Sequence, residues 1–365
     1  MNTLEILQNC IIKHSIVEDN NGKETVNRTR GLRYVANHIN VSVGTVKRWM
    51  ELKDVPRYYL FDLYNLLGIE INYENFTPKD KDQFFTSKAT AKQCYNTFNN
   101  IVKLYASNPD EYVYVEPSVG NGNFYSLFPE DRRIGIDIES DMEDAIICDY
   151  LKWQPESDKK YLVLGNPPFG LRSNLALRFL NHSNYADFVG FILPQIFDSE
   201  GKGSAKNRVL GLNLIYSAPI RPDFYYPDGK EVKVNVIFQI WSKHHSVEVE
   251  KQECKSYIKV YSLSDGGTVA TTRNKNMIGN CDAYLPQTCF GSEKMKLYSD
   301  FEEVPKRCGY GVVFLKEQNT LKELFNETNW SSVSFKSTNG AFNLRTDLIN
   351  KVLTNKGFLD EKNIA

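Results

Sequence analysis

The chain has 365 residues, 41% hydrophobic and 24% charged, enough for two or three domains with sizeable cores. Its formal net charge of −1, from 44 Lys and Arg against 45 Asp and Glu, excludes polyanion binding by overall charge, so any such surface must be local. Seven scattered cysteines without a C-x2-C pair predict reduced thiols in an intracellular protein and no structural metal, while the absence of a long apolar run and the charge-interrupted start, Met1 to Asn20, predict neither a membrane span nor a signal peptide.

The first patterned segment is residues 31–50. A helix-turn-helix needs a small residue where two helices cross, a turn residue that tolerates left-handed φ, and a capped second helix with a buried stripe. Ala36, Asn40 and Ser42 fill the three roles, and Val46 and Trp49 are spaced to bury, which leaves Thr45, Lys47 and Arg48 mostly outward. Between Gly22 and Leu60 stand eight Lys or Arg against three Asp or Glu. The segment resembles Cro-like or sigma-type helix-turn-helix modules. That resemblance implies DNA contacts from Ser42, Thr45, Lys47 and Arg48. Residues 57–68 read as a further helix, and Tyr73 to Asp82 as an acidic linker.

Next come Phe84-Phe85-Thr86-Ser87 and a helical run, then a series of short strands. Tyr112 to Val115 leads into Glu116-Pro117-Ser118-Val119-Gly120-Asn121-Gly122, where the glycines permit a tight turn and close backbone approach at a helix start. A dinucleotide fingerprint needs a third glycine where Tyr125 stands. Glu116 is a poor neighbour for a pyrophosphate and a good one for an α-ammonium group. Arg133 to Asp137 is a second strand ending in an acid, placed as for two ribose hydroxyls. Ala145 to Tyr150 ends in Asp149, able to accept from an adenine amine, and in Tyr150, able to pack on its ring. Amino acid, ribose and adenine together make S-adenosylmethionine. The fourth strand, Tyr161 to Leu164, runs into Asn166-Pro167-Pro168-Phe169. Two prolines end strand pairing and leave carbonyls outward at the carboxyl end of the sheet. Those carbonyls, the Asn166 amide oxygen and the Phe169 ring suit an –NH2 group on a planar substrate.

This stretch, about residues 84–243, resembles the gamma-class N6-adenine DNA methyltransferases. The resemblance implies a Rossmann-like, seven-stranded α/β core of class I. It implies cofactor contacts from Thr86, Glu116, Pro117, Ser118, Gly120, Gly122, Asp137, Ile138, Asp149, Tyr150 and Asn166. It also implies catalysis by Asn166, Pro167, Pro168 and Phe169, with Phe169 stacked on a flipped base. Ser87 stands where the family has proline, and Phe169 where tyrosine is commoner. Ser173 to Ala176 matches the next helix start, Phe188 to Pro194 strand five, and Val234 to Trp241 the last strand. Tyr226, before the Pro227-Asp228-Gly229 turn, is the family-placed aromatic for the extruded base. Lys202, Lys206 and Arg208 are candidates for phosphates.

Residues 249–365 carry short apolar stretches and a helix from Arg345 to Leu353. By position they match the family's α+β target recognition domain, with Thr271 to Lys275 and Lys336 to Asn339 suited to base edges and phosphates. The expected organisation is a small all-α helix-turn-helix domain with linker over 1–78, a methyltransferase domain over 79–248 and a recognition domain over 249–365. The expected activity is methyl transfer to a flipped adenine in double-stranded DNA, as in restriction-modification, in cytoplasm, nucleoid or nucleus. An RNA N2-guanine or N6-adenine methyltransferase and a protein-glutamine N5-methyltransferase remain alternatives, since each substrate offers the same –NH2 group.

Overall fold

The first apolar stripe sets the first helix. Ile6, Leu7, Cys10 and Ile11 recur at helical spacing on α1, Thr3–Lys13, and are buried. Asn2 and Glu5 cap its start reciprocally. A short hairpin follows, β1 (Ile16–Glu18) on β2 (Glu24–Val26), so the N-terminal segment is not all-α as expected, and then come α2 (Arg28–His38), α3 (Val43–Leu52) and α4 (Leu60–Leu67). Val35 and Ala36 of α2, Val46 of α3 and Leu63 of α4 close one buried cluster with α1. In this computed structural model the described residues are 2–360 apart from 19–21, 40, 79, 107, 171–172, 200–203, 233, 248–252, 265–274, 291–294, 306–307 and 337–340, and apart from the side chains of 58, 74, 275, 276 and 336. Asn40, the expected turn residue, lies outside them, as do residues 200–203, 271–274 and 337–339 of the loops singled out above.

The central sheet accounts for the next strands. After the two-residue β3 (Phe85–Thr86), Ser87 caps α5 (Lys88–Tyr105) by accepting from the Thr90 N–H at 3.2 Å. Then come β4 (Tyr112–Glu116), β5 (Arg133–Asp137), β6 (Ala145–Ile147), β7 (Lys160–Gly165), α6 (Asn174–His182), β8 (Phe188–Pro194) and β9 (Asn213–Ile220). The hairpin of β10 (Phe224–Tyr225) and β11 (Glu231–Val232) precedes β12 (Val236–Ser242), and β10 also pairs with β3. The seven-stranded order is β6-β5-β4-β7-β8-β12-β9. β4 to β8 pair parallel, and β12 runs antiparallel to both neighbours. That is the Rossmann-like order expected of a class I core, and it reverses between β4 and β7. β7 and β8 are nearly continuous apolar runs, as parallel strands covered on both faces require. Gly190 in β8 exists for α5, since a Cβ there would sit 2.5 Å from Phe98.

One expected element is missing. The loop after β4 does not open an α-helix; it passes into a single 3-10 turn, Tyr125–Leu127. Phe124, Tyr125 and Phe128 are buried from that turn and fill the space a helix would cover. The last cluster joins β13 (Ile258–Leu263), β14 (Ala283–Pro286), β15 (Thr288–Cys289), β16 (Gly309–Phe314), α7 (Gln318–Glu327), α8 (Trp330–Val333), β17 (Phe335–Lys336), β18 (Phe342–Asn343) and α9 (Thr346–Thr354). Two three-stranded sheets, β13-β16-β14 and β15-β18-β17, carry it. Among the described residues no helix is long and apolar enough to cross a membrane. None of the seven cysteines, all among the described residues, is in a disulfide.

Candidate active site at the sheet reversal

Where the strand order reverses, the carboxyl ends of β4 and β7 splay and leave a crevice. A cavity of about 440 Å³ opens there. Pro117, Ser118 and Gly120 line it from the end of β4, Asp137 and Ile138 from β5, and Asp149 and Tyr150 from β6. Asn166, Pro167 and Pro168 line it from β7. Four strand tips therefore bring together most, though not all, of the residues that the sequence singled out at each.

Each acid has part of its hydrogen-bonding capacity engaged. Asp137 accepts from the N–H of Gly120 at 2.8 Å and of Glu139 at 3.1 Å, one on each oxygen. A carboxylate has about four acceptor sites, so both oxygens can still accept from a diol. Burial raises the Asp137 carboxyl above its ordinary range. Asp149 caps the 3-10 turn Tyr150–Lys152 through Oδ1, at 3.0 Å from the Leu151 N–H. The Tyr150 hydroxyl is fixed by Ser183 at 2.8 Å and Tyr185 at 3.0 Å, which holds the ring at the wall.

The proline pair behaves as its chemistry dictates. Pairing of β7 with β8 stops at Gly165, and Asn166 follows. The Ser118 hydroxyl donates to the Asn166 backbone oxygen at 3.0 Å. The Asn166 side-chain Oδ1 is buried with no hydrogen-bond partner among the described residues. A buried orphan acceptor costs about 1–3 kcal/mol and recurs at sites built for a ligand.

Several expected site residues lie elsewhere. The Phe169 ring is only 2% exposed and does not line the cavity; it packs edge-on against Phe84 at 5.3 Å. The expected stacking of Phe169 on a base is therefore corrected. The Phe169 ring belongs to the core cluster, and Gly170 follows it at φ 67. Thr86 is a buried β3 residue whose carbonyl accepts from Asn123, and Phe84 and Phe85 line the cavity in its place. Gly122 packs beneath Met142 and does not reach the cavity. Glu116 lies behind the lining, with Oε2 buried and unpartnered. Burial above all, and then the Asp137 charge, holds its carboxyl well above the usual range. Tyr226 sits in the β10–β11 turn, where its N–H donates to the Lys230 carbonyl, and is absent from the lining.

In α3, Ser42 caps the helix through the Thr45 N–H at 3.0 Å, Val46 is buried, and Lys47 and Arg48 are exposed. None of these lines the cavity. Arg208 does, whereas Lys206 does not, and Lys202 lies outside the described residues.

Sequence reasoning missed two contributions. Tyr59, Phe61, Asp62, Asn65 and Tyr73 line the same cavity from the α4 region, although that region reads as a separate helical segment. Asp62 pairs with Arg178 of α6 at 2.5 Å, and burial pushes the Tyr73 hydroxyl up to about 12, with the Asp149 charge adding to the shift. The acidic stretch expected as a linker is held in place. Thr77 and Asp80 cap one another, Arg57 pairs with Asp80, and Lys81 pairs with Glu139. The second omission is Asp82, whose Oδ2 accepts from the N–H groups of Phe169 at 2.7 Å and Gly170 at 2.8 Å. A run reading Lys-Asp-Lys-Asp gives no signal of burial, because alternating charges look solvated.

Among the described residues no cluster of three or more His, Cys, Asp or Glu is arranged to hold a metal ion. No protein-family description matches the chain, and no curated protein does. Solved structures similar to it include a candidate RNA methyltransferase from Pyrococcus horikoshii, 16% identical over 44% of this chain and 87% of that one, with a TM-score of 0.34. A SAM-dependent methyltransferase from Anabaena variabilis is 13% identical over 42% of this chain and 86% of its own, at 0.29. One from Leishmania major is 12% identical over 62% of this chain and 96% of its own, at 0.28. Scores this low assign neither the activity nor the fold, which stands on its own strand order.

Proposed function

We propose that the chain is an S-adenosylmethionine-dependent methyltransferase acting on the exocyclic N6 amine of adenine in duplex DNA. The observation that carries the reading is the buried, unpartnered Oδ1 of Asn166 in one cavity with the strand-tip acids Asp137 and Asp149. The cavity residues fit the cofactor. Asp137 keeps acceptor sites for two hydroxyls, Asp149 for an amine, and Ile138 and Tyr150 offer apolar walls. When bound, the cofactor supplies a methyl group on an electrophilic sulfonium.

The protein's part is positioning and electrostatics. An aromatic amine is a weak nucleophile because its lone pair is delocalised into the ring. Asn166 Oδ1 and the Pro167 carbonyl, which has no partner in a strand, accept the two N–H bonds and favour a pyramidal nitrogen. The new hydrogen bond also satisfies the orphan oxygen of Asn166. A carboxamide is not a base, so Asn166 only holds the N–H by a hydrogen bond, and the surplus proton of the methylated amine passes to water after transfer. An adenine inside a duplex must be flipped out to reach the cavity, at a cost of about a few kcal/mol. With the Phe169 ring in the core, Phe61, Phe84 and Phe85 are the cavity's own aromatic walls for a planar ring. The exposed Lys47 and Arg48 on the capped helix α3 support duplex DNA as the polymer bound.

The test is incubation with methyl-labelled cofactor and genomic duplex DNA, structured RNA or protein extract, followed by hydrolysis. Label in N6-methyladenine from DNA is the expected result. Label confined to RNA or to glutamine overturns the substrate, and label in none overturns the activity.

A further inference from the structure

We propose that Asp82 is a positioning residue for the Asn166-Pro167-Pro168 loop, a proposal that rests on the reading of this cavity as the methyl-transfer site. Pro167 and Pro168 have no N–H, so the first two donors after Asn166 are those of Phe169 and Gly170. Both are given to one carboxylate oxygen, Asp82 Oδ2, at 2.7 and 2.8 Å. The other end of the loop is held by the Ser118 hydroxyl on the Asn166 backbone oxygen. The loop is thus pinned on both sides of the prolines, and only the Asn166 carboxamide and the proline carbonyls between the pins are left to meet a substrate.

Three further features show that the pin is built. Asp82 stands at φ 54, a left-handed conformation that residues other than glycine uncommonly adopt. Its neighbour Lys81 is anchored at the β5 tip by Glu139, and Phe84, two residues on, packs against the Phe169 ring. Gly170 has no room for a side chain, since a Cβ would lie 2.6 Å from Leu175, so the chain there lies close against α6. Burial raises the Asp82 carboxyl and the two N–H groups lower it, as expected of a carboxylate kept in a crevice for its acceptors. Asp82 also turns the Phe169 ring inward, because both N–H groups flanking that residue's Cα are committed to one oxygen.

The experiment compares wild type, Asp82→Ala and Asp82→Asn. Three readouts are taken on the full chain: kcat on genomic duplex DNA, cofactor affinity by calorimetry, and hydrogen exchange of the amides at 169 and 170. In Asp82→Ala those amides lose protection and kcat falls by about a hundredfold, while cofactor affinity changes by less than about threefold. Asp82→Asn keeps an acceptor oxygen of the same shape and recovers both protection and most of kcat. Unchanged protection at 169 and 170 in the alanine variant overturns the pin, and it does so even if no substrate is methylated by wild type, a failure that belongs to the proposed function. Normal kcat with lost protection overturns the positioning role. A parallel fall in kcat and cofactor affinity, or an asparagine variant that folds but is not rescued, also overturns it.

Discussion

In the proposed reaction a single oxygen of Asn166 meets the amine. The Oδ1 atom bonds to nothing among the described residues, whereas the backbone oxygen of the same residue is taken by Ser118. Asn166→Ala therefore lowers methyl transfer by at least about a hundredfold and leaves cofactor affinity unchanged, because Asp137 and Asp149 are untouched. Single-turnover assays beside calorimetry check this; turnover within a few-fold of wild type removes Asn166 from the mechanism. Glu116 gives a prediction of the opposite kind. Its folded carboxyl titrates above its unfolded one, so the native state holds the proton more tightly. Stability from that proton is full below the ordinary carboxylate range and is lost as pH rises through the raised value. Glu116→Gln cannot ionise, so it melts higher than wild type on the alkaline side and flattens the decline. Thermal melts from about pH 5 to about pH 9 without cofactor read this directly, and parallel curves for the two proteins reject it. The acids at the strand tips were legible because a strand and its last residue are local. The direction of Phe169 was not, because the residues that surround it, Asp82 on its N–H and Phe84 on its ring, lie more than 80 positions upstream.

Among the elements, the strands were the easiest to read and the connections the hardest. β7 and β8 announce themselves as apolar runs with turn signals at each end; β8 has the expected boundaries, and β7 extends one residue beyond them at each end. The helix expected after β4 is absent because Tyr125 and Phe128 pack as a compact aromatic turn, which glycine spacing does not encode. The packing of α5 on β8 depends on Gly190. A methyl there meets the Phe98 and Leu164 side chains at 2.5 and 2.9 Å, so Gly190→Ala costs about 1–3 kcal/mol by overpacking. Denaturant melts with an unchanged slope are the check, and a destabilisation under about half a kcal/mol would show that α5 can shift. On α3, Lys47→Glu with Arg48→Glu weakens duplex binding. It also makes the plot of log affinity against log salt shallower, by about 0.9 for each phosphate that is no longer neutralised. An identical slope in the double variant takes α3 out of the DNA interface.

For the whole molecule, the consequential finding is that the N-terminal helices are part of the cavity wall. Phe61, Asn65 and Tyr73 face the space that the strand tips line, and Asp62 ties α4 to Arg178 of α6. No sequence pattern announces this, since the partners lie 116 positions apart and each looks like an ordinary surface charge. Removal of residues 1–78 consequently weakens cofactor binding as well as DNA binding, because one side of the cavity opens to water. Calorimetry on a folded truncated chain settles the point: unchanged cofactor affinity shows that the wall is dispensable. The shared wall also bears on how such a protein can be recombined. A reader joined by a free tether can be exchanged for another without loss, as a plug is exchanged in a socket. Here an exchange just before the central-sheet domain would bring in a foreign surface with no Asp62 for Arg178 and no ring opposite Asp149. The smallest portion that can be transplanted with this cavity wall intact therefore includes the N-terminal helices together with the central sheet.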